Sequence, residues 1–255
     1  MANSEDFLKD ISSLWIHGAG LSGATWLDLT SDLPRAQMPD LPGHGDAEAV
    51  AAPTVERFSD TLLPRVEDDM VLIGHSLGGM VALELLARTA MRPRALILVE
   101  SVPTVTDRWI RRAGPRLARP LLQCLPRSWL NLMGAAGQSP AAAKEARRFL
   151  SQMPRDRILD AFDAARTYDG RRHLAQVMVP TLVIVGSENR ATHRGARLSA
   201  ERIAGAEFEI LTGGHLLHID NPCGLRRSIS AFLARTAHRV GPTSTPQSFE
   251  AIHET

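Results

Sequence analysis

The run Met70-Val71-Leu72-Ile73-Gly74-His75-Ser76-Leu77-Gly78-Gly79 constrains this chain more than any other segment. Its unbroken apolar start reads as a strand buried on both faces, the habit of parallel sheets. Met80 to Thr89, just beyond, is rich in helix formers. Strand, sharp turn and helix therefore follow one another with no room for a loop, and Gly74-x-Ser76-x-Gly78 at the turn is the nucleophile-elbow pattern. A tight turn lifts the serine hydroxyl clear of the strand end, and the glycines let neighbouring backbone pass where a Cβ would collide. The first N–H groups of a helix have no partner within it. An oxyanion formed at Ser76 would meet the backbone N–H of Leu77.

The same alternation recurs along the chain. Ser13 to Ile16 reads as a strand that ends in the loop His17-Gly18-Ala19-Gly20, and Trp26, Leu27, Leu29 and Leu33 follow at helical spacing. A second strand ends at Met38-Pro39-Asp40-Leu41, closed by Pro42-Gly43-His44-Gly45. Thr54 to Arg65 reads as a helix. Further strands are expected at Ala95 to Glu100, Thr181 to Gly186 and Glu207 to Leu211, with helices at Arg190 to Ala204 and Leu225 to Ala237. Glu84 and Arg88, four apart, are expected on an exposed helix face. The predicted class is α/β, with a mostly parallel central sheet flanked by helices.

Between Val102 and Val179 the strands stop. Helical pieces broken by Pro115, Pro120, Pro126, Pro140 and Pro154 predict an inserted helical cap. The expected organisation is a core of residues 1–101 and 180–239, a cap of 102–179 and a flexible tail of 240–255. The cap stretch holds fourteen Lys and Arg against six Asp and Glu, so the near-neutral whole divides into a basic cap and an acidic remainder.

At 255 residues, 44% hydrophobic and 22% charged, the chain is long enough for one α/β domain of ordinary globular composition. A net charge of +1 supplies no field for nucleic acid or an anionic membrane. The longest apolar runs are strand-length, too short to span a bilayer. Cys124 and Cys223 lack metal-ligand spacing and no signal peptide opens the chain, so a cytoplasmic setting, no metal and no cofactor are expected.

A serine nucleophile needs a histidine base that is close in space and distant in sequence. Gly213-Gly214-His215 follows the last strand, and of nine histidines His215 alone lies on a glycine-hinged loop at the carboxyl end of a late strand. His218 is expected to support that loop or to pack, and His44 and His75 to be neighbours of the turn and the elbow. A second oxyanion donor is expected from the backbone N–H of Ala19, on the loop after the first strand.

The order of His-Gly loop, Asp-x-Pro-Gly-His-Gly turn, elbow, cap and late histidine resembles the α/β-hydrolase superfamily, in particular its small bacterial capped carboxylesterases and lactonases. The resemblance covers most of residues 13–237. It implies a site between core and cap, and a metal-free mechanism through an acyl-serine that water hydrolyses. One position departs from it. The family's usual triad acid stands three residues after the glycine that ends the strand following the cap, and here that residue is Asn189, in Gly186-Ser187-Glu188-Asn189. Some members place the acid at the end of the strand after the nucleophile helix, which is Glu100 here, and Glu188 is the other candidate. The expected catalytic set is Ser76, His215 and Glu100.

Hydrolysis of a carboxylic ester, lactone or thioester of small to medium size is the expected reaction. Carbon–carbon bond hydrolysis and cofactor-free perhydrolysis use the same residues, and a non-catalytic ligand-binding module is the alternative from another class. Trp109, Leu117, Leu121, Leu122, Leu125, Trp129, Leu132 and Met133 are apolar candidates for cap core or acyl pocket. Arg108, Arg111, Arg112, Arg116 and Arg119 are either a solvated face or an attractor for an anionic group.

Overall fold

The structure is a computed structural model and describes residues 8–105 and 138–237. The apolar runs become β1 (Ser13–Ile16), β2 (Ala36–Gln37), β3 (Val71–His75), β4 (Ala95–Val99), β5 (Thr181–Gly186) and β6 (Glu207–Leu211). They form one parallel sheet in the order β2-β1-β3-β4-β5-β6. β1, β3, β4 and β5 are buried at every position, which is why they read as continuous rather than alternating apolar runs.

Their side chains divide by the two-residue period of a strand. Leu14, Ile16, Leu72, Leu98 and Val183 face a core shared with α2 (Val55–Leu62) and α3 (Leu77–Arg88). Trp15, Ile73, Ile97 and Ile184 face the other core, filled by Trp26, by Leu29 of α1 (Leu27–Thr30) and by Leu225, Ile229 and Phe232 of α8 (Pro222–Ala237). The other α-helices among the described residues are α4 (Pro140–Gln152), α5 (Arg155–Thr167), α6 (Arg190–Arg202) and α7 (Leu217–Asp220).

Three local expectations are corrected. β2 stops before Met38, because Pro39 cannot donate to a sheet ladder and the chain leaves the edge there. α3 begins at Leu77 rather than Met80, so Gly78 and Gly79 belong to the helix and not to the turn. Glu84, expected on an exposed face, is only 4% exposed. The segment after α5 folds back over it: the Tyr168 hydroxyl donates to Glu84 Oε2 at 3.1 Å, and His173 Nε2 lies 3.0 Å from the same oxygen.

Along the chain the alternation of strand and helix breaks between β4 and β5, where the described elements are helical. α5 is not a separate body, since Ala161, Ala164 and Tyr168 join the same core as Phe58, Val81 and Leu85. α4 packs differently. Its Ala142, Ala146 and Phe149 cluster with Leu21, from the loop after β1, and Leu216, from the loop after β6. The arginine cluster 108–119, the apolar candidates 109–133, Cys124 and the tail 240–255 lie outside the described residues. Among the described residues no helix is long and apolar enough to cross a membrane, and no three His, Cys, Asp or Glu side chains gather as metal ligands do.

Because the chain runs outward from β1 to β2 and returns on the other side of β1 as β3, strand order reverses between β1 and β3. Ligands of open α/β sheets bind at the carboxyl ends of strands beside such a reversal. The loops after β1, β3, β4, β5 and β6 all open there.

Candidate active site

Ser76 occupies the single position between β3 and α3, at φ 52° and ψ −115°. L side chains rarely adopt this conformation, and it costs about 1–3 kcal/mol unless the surroundings hold it. The flanking glycines explain how it is held. A Cβ at Gly74 would overlap the Gly78 carbonyl, and one at Gly78 would overlap the carbonyl oxygen of Ile16 at the end of β1. The elbow is also tied to β4: Ser76 N–H donates to Val99 O at 2.9 Å, and Ser101 Oγ donates to Ser76 O at 2.8 Å.

His215 arrives on the loop after β6, which hydrogen bonds from several elements fix. Glu188 N–H donates to Gly213 O at 3.0 Å, Gly214 N–H to Asp220 Oδ2 at 2.8 Å, and His75 Nε2–H to the His215 carbonyl at 2.8 Å. The result is a Ser76 Oγ to His215 Nε2 separation of 3.2 Å, hydrogen-bond reach for a nucleophile and its base.

Behind His215 stand two side chains. Nδ1 is 2.9 Å from Asn189 Nδ2 and 3.5 Å from Glu100 Oε2. Two N–H groups cannot bond each other. The imidazole tautomer able to take a proton at Nε2 carries its hydrogen on Nδ1, and in that tautomer the Glu100 carboxylate, 3.5 Å away, would be available as its acceptor. The Asn189 amide then donates to the same carboxylate oxygen, at 2.7 Å. Thr192 Oγ1 adds a third donor at 2.6 Å, and the Gly186 N–H bonds the other oxygen, Oε1. The Glu100 side chain is fully buried, and this donor set is what a buried carboxylate needs. Glu188 is exposed, and only its backbone serves the site.

The loop after β1 lies against the elbow, since a Cβ at Gly18 would stand 3.3 Å from Ser76 Cβ. Among the described residues neither the Ala19 N–H nor the Leu77 N–H finds a protein acceptor. His17 shapes that loop. Its Nδ1–H donates to Gly18 O at 2.8 Å and its Nε2 accepts from Leu41 N–H at 2.9 Å, pinning the loop after β1 to the Pro42-Gly43-His44-Gly45 turn.

Four other histidines, His17, His44, His75 and His218, are buried among their neighbours and held neutral. Burial, aided by neighbouring imidazoles, pushes His17 and His75 well below the usual histidine range. Burial lowers His44 to about 4, and burial followed by the nearby His215 lowers His218 to about 3. His218 is hydrogen-bonded to Thr25 Oγ1 at 2.8 Å and packs on Trp26, so it supports the loop rather than the chemistry. Sequence reasoning missed the supporting roles of His75, Thr192 and Asp220. His75 left one trace, a polar ring at the end of an apolar strand, whereas Thr192 and Asp220 left none because their partners come from other elements.

A model of the alpha/beta hydrolase family matches residues 14–227. A pimeloyl-[acyl-carrier protein] methyl ester esterase of Aromatoleum aromaticum is 43% identical over 103 residues, 39% of this chain and 41% of that protein. A protein of the same name from Neisseria meningitidis serogroup A is 31% identical over 198 residues, 69% of this chain and 61% of that protein. The chain thus spans less than two thirds of the length of either relative. Among solved structures, a thermophilic esterase from Thermogutta terrifontis shares the fold with a TM-score of 0.77 at 21% identity, covering 89% of this chain and 91% of that one. By its sheet, its elbow and the span of the family match, this chain belongs to the alpha/beta hydrolase family.

Proposed function

We propose that the chain is a serine hydrolase of carboxylic esters, with lactones and thioesters as related substrates. The observation that carries this reading is a strained Ser76 whose Oγ lies 3.2 Å from His215 Nε2. His215 removes the hydroxyl proton as Ser76 Oγ attacks the ester carbonyl. The oxyanion is met by the N–H groups of Ala19 and Leu77, and His215 returns the proton to the departing alcohol. Water, deprotonated by His215, then attacks acyl-Ser76; the acid leaves and the serine regains its proton. Glu100 faces the imidazolium formed in both steps and offsets its charge. The relatives' names point to methyl esters of acyl chains on a carrier protein, and the basic excess of residues 102–179 suits such an anionic partner.

The test is intact-protein mass after fluorophosphonate treatment of the wild type and of Ser76→Ala. Stoichiometric modification that disappears in the variant supports an activated serine. A wild type that stays unmodified overturns the reading in favour of a ligand-binding module.

A further inference from the structure

The described part of the insertion reaches the catalytic loop through one carboxylate that the mechanism does not use. Asp220, the last residue of α7, accepts from the Gly214 N–H through Oδ2 at 2.8 Å and from Ser139 Oγ through Oδ1 at 2.5 Å. Ser139 is in turn the N-cap of α4, its Oγ accepting from the Ala142 N–H at 3.1 Å. Gly214 immediately precedes His215. The start of α4 and the backbone that carries the base are therefore two hydrogen bonds apart.

Packing repeats the connection. Apolar side chains of α4 contact Leu216, just after His215, and Leu21, close to Ala19. A Cβ at Gly20 would stand 2.6 Å from Leu150 Cδ2, also on α4. One helix thus touches the loops that hold the base and the second oxyanion donor. Gln138 Oε1, beside the Ser139 end of the same helix, is buried without a hydrogen-bond partner and would lie 3.8 Å from a Cβ at Gly214.

We propose that Ser139 and Asp220 form a latch through which the seating of α4 positions His215, making both positioning residues. The proposal rests on His215 acting as the base. With α4 seated, Asp220 is held from both sides and fixes the Gly214 N–H. With α4 displaced, Asp220 loses one of its two restraints and the Nε2 to Oγ geometry loosens. A misplacement of 1 Å in such a pair is worth about 100-fold in rate.

The experiment measures fluorophosphonate labelling of the full chain, separated into binding and the first-order step, together with Tm. Ser139→Gly removes the hydroxyl but, because glycine is nearly as good an N-cap, spares the helix start. It is expected to slow the first-order step about 10-fold, the scale of one hydrogen bond to a charged group, with binding and Tm little changed. Ser139→Thr keeps the hydroxyl and is expected to stay near the wild type. Asp220→Asn should lose more than Ser139→Gly, and the double variant no more than Asp220→Asn alone, since both cut one connection. Wild-type labelling in Ser139→Gly, or losses that multiply in the double variant, would overturn the latch. Labelling that survives Ser76→Ala would instead overturn the hydrolase reading beneath it, so the two failures are told apart.

Discussion

Two neighbouring strand ends carry a positive φ in different settings. Ser76, after β3, has φ 52°, and Glu100, after β4, has φ 50°. At Ser76 the conformation is permitted by what is missing, since the side chains absent at Gly74 and Gly78 leave room for the turn. At Glu100 it is held by what is present, a carboxylate gripped by Gly186, Asn189 and Thr192. The first solution is written within five consecutive residues, whereas the second is assembled across more than eighty positions of sequence. Strain at a functional strand end can therefore be local in origin or tertiary, and only the local kind forms a motif.

The sharpest way to break this comparison is to neutralise the assembled side. Glu100→Gln should lower turnover of an accepted ester by about 100- to 10,000-fold, the range seen when the residue orienting a catalytic histidine loses its charge. Glu188→Gln should stay within about threefold, as expected of an exposed side chain. Turnover of both variants on one ester decides it, and the reverse ranking would return the acid to the loop after β5.

A second variant sharpens the same contrast. In the Glu100→Gln background, Asn189→Asp places a carboxylate 2.9 Å from His215 Nδ1, at the family's usual position. It should recover at least about tenfold of the lost rate, the scale of a charge-assisted hydrogen bond. Asn189→Asp alone should be slower than the wild type, because two adjacent buried carboxylates repel and one must take up a proton. If the double variant recovers nothing, Asn189 holds Glu100 in place without sharing the geometry of an acid.

The packing histidines predict an effect on stability. His44, lowered to about 4, and His218, lowered to about 3, are neutral in the fold but take up a proton at the ordinary histidine value, near 6.5, when the chain unfolds. The unfolded state therefore binds more protons below pH 6.5, and stability falls as pH drops from there toward 4. At pH 5 each should cost about 2 kcal/mol relative to pH 8. Urea unfolding at both values checks this, and His218→Gln should make the acid loss shallower. An unchanged slope would mean that His218 titrates normally in the fold.

The smallest effect is expected at His75. His75→Phe removes the hydrogen bond to the His215 carbonyl and should cost about 5- to 10-fold in turnover, the scale of one neutral hydrogen bond. His75→Gln can still reach that carbonyl with its amide and should keep most of the activity. Equal losses in both would assign His75 to packing alone.

The strands, the sheet's parallel character, the elbow, the late-loop histidine and the loop of Ala19 were legible because each is a local pattern: buried strands read as apolar runs, and a tight turn between strand and helix demands glycine. The carboxylate was legible only as a choice. Glu100, Glu188 and Asn189 all stand near strand ends, and sequence has no measure of which side chain reaches His215. The structure places Asn189 and Glu100 2.9 and 3.5 Å from His215 Nδ1 and leaves Glu188 exposed, because β4 and β5 lie side by side and donors from the β5 loop and α6 converge on the end of β4. It also buried Glu84 under a later segment and linked Ser139 to Asp220 across 81 positions. Hydrophobic periodicity and turn chemistry act over a few residues and so can be read along a chain. The partners of a buried polar group are set by which elements the fold makes neighbours, and that information exists only in three dimensions.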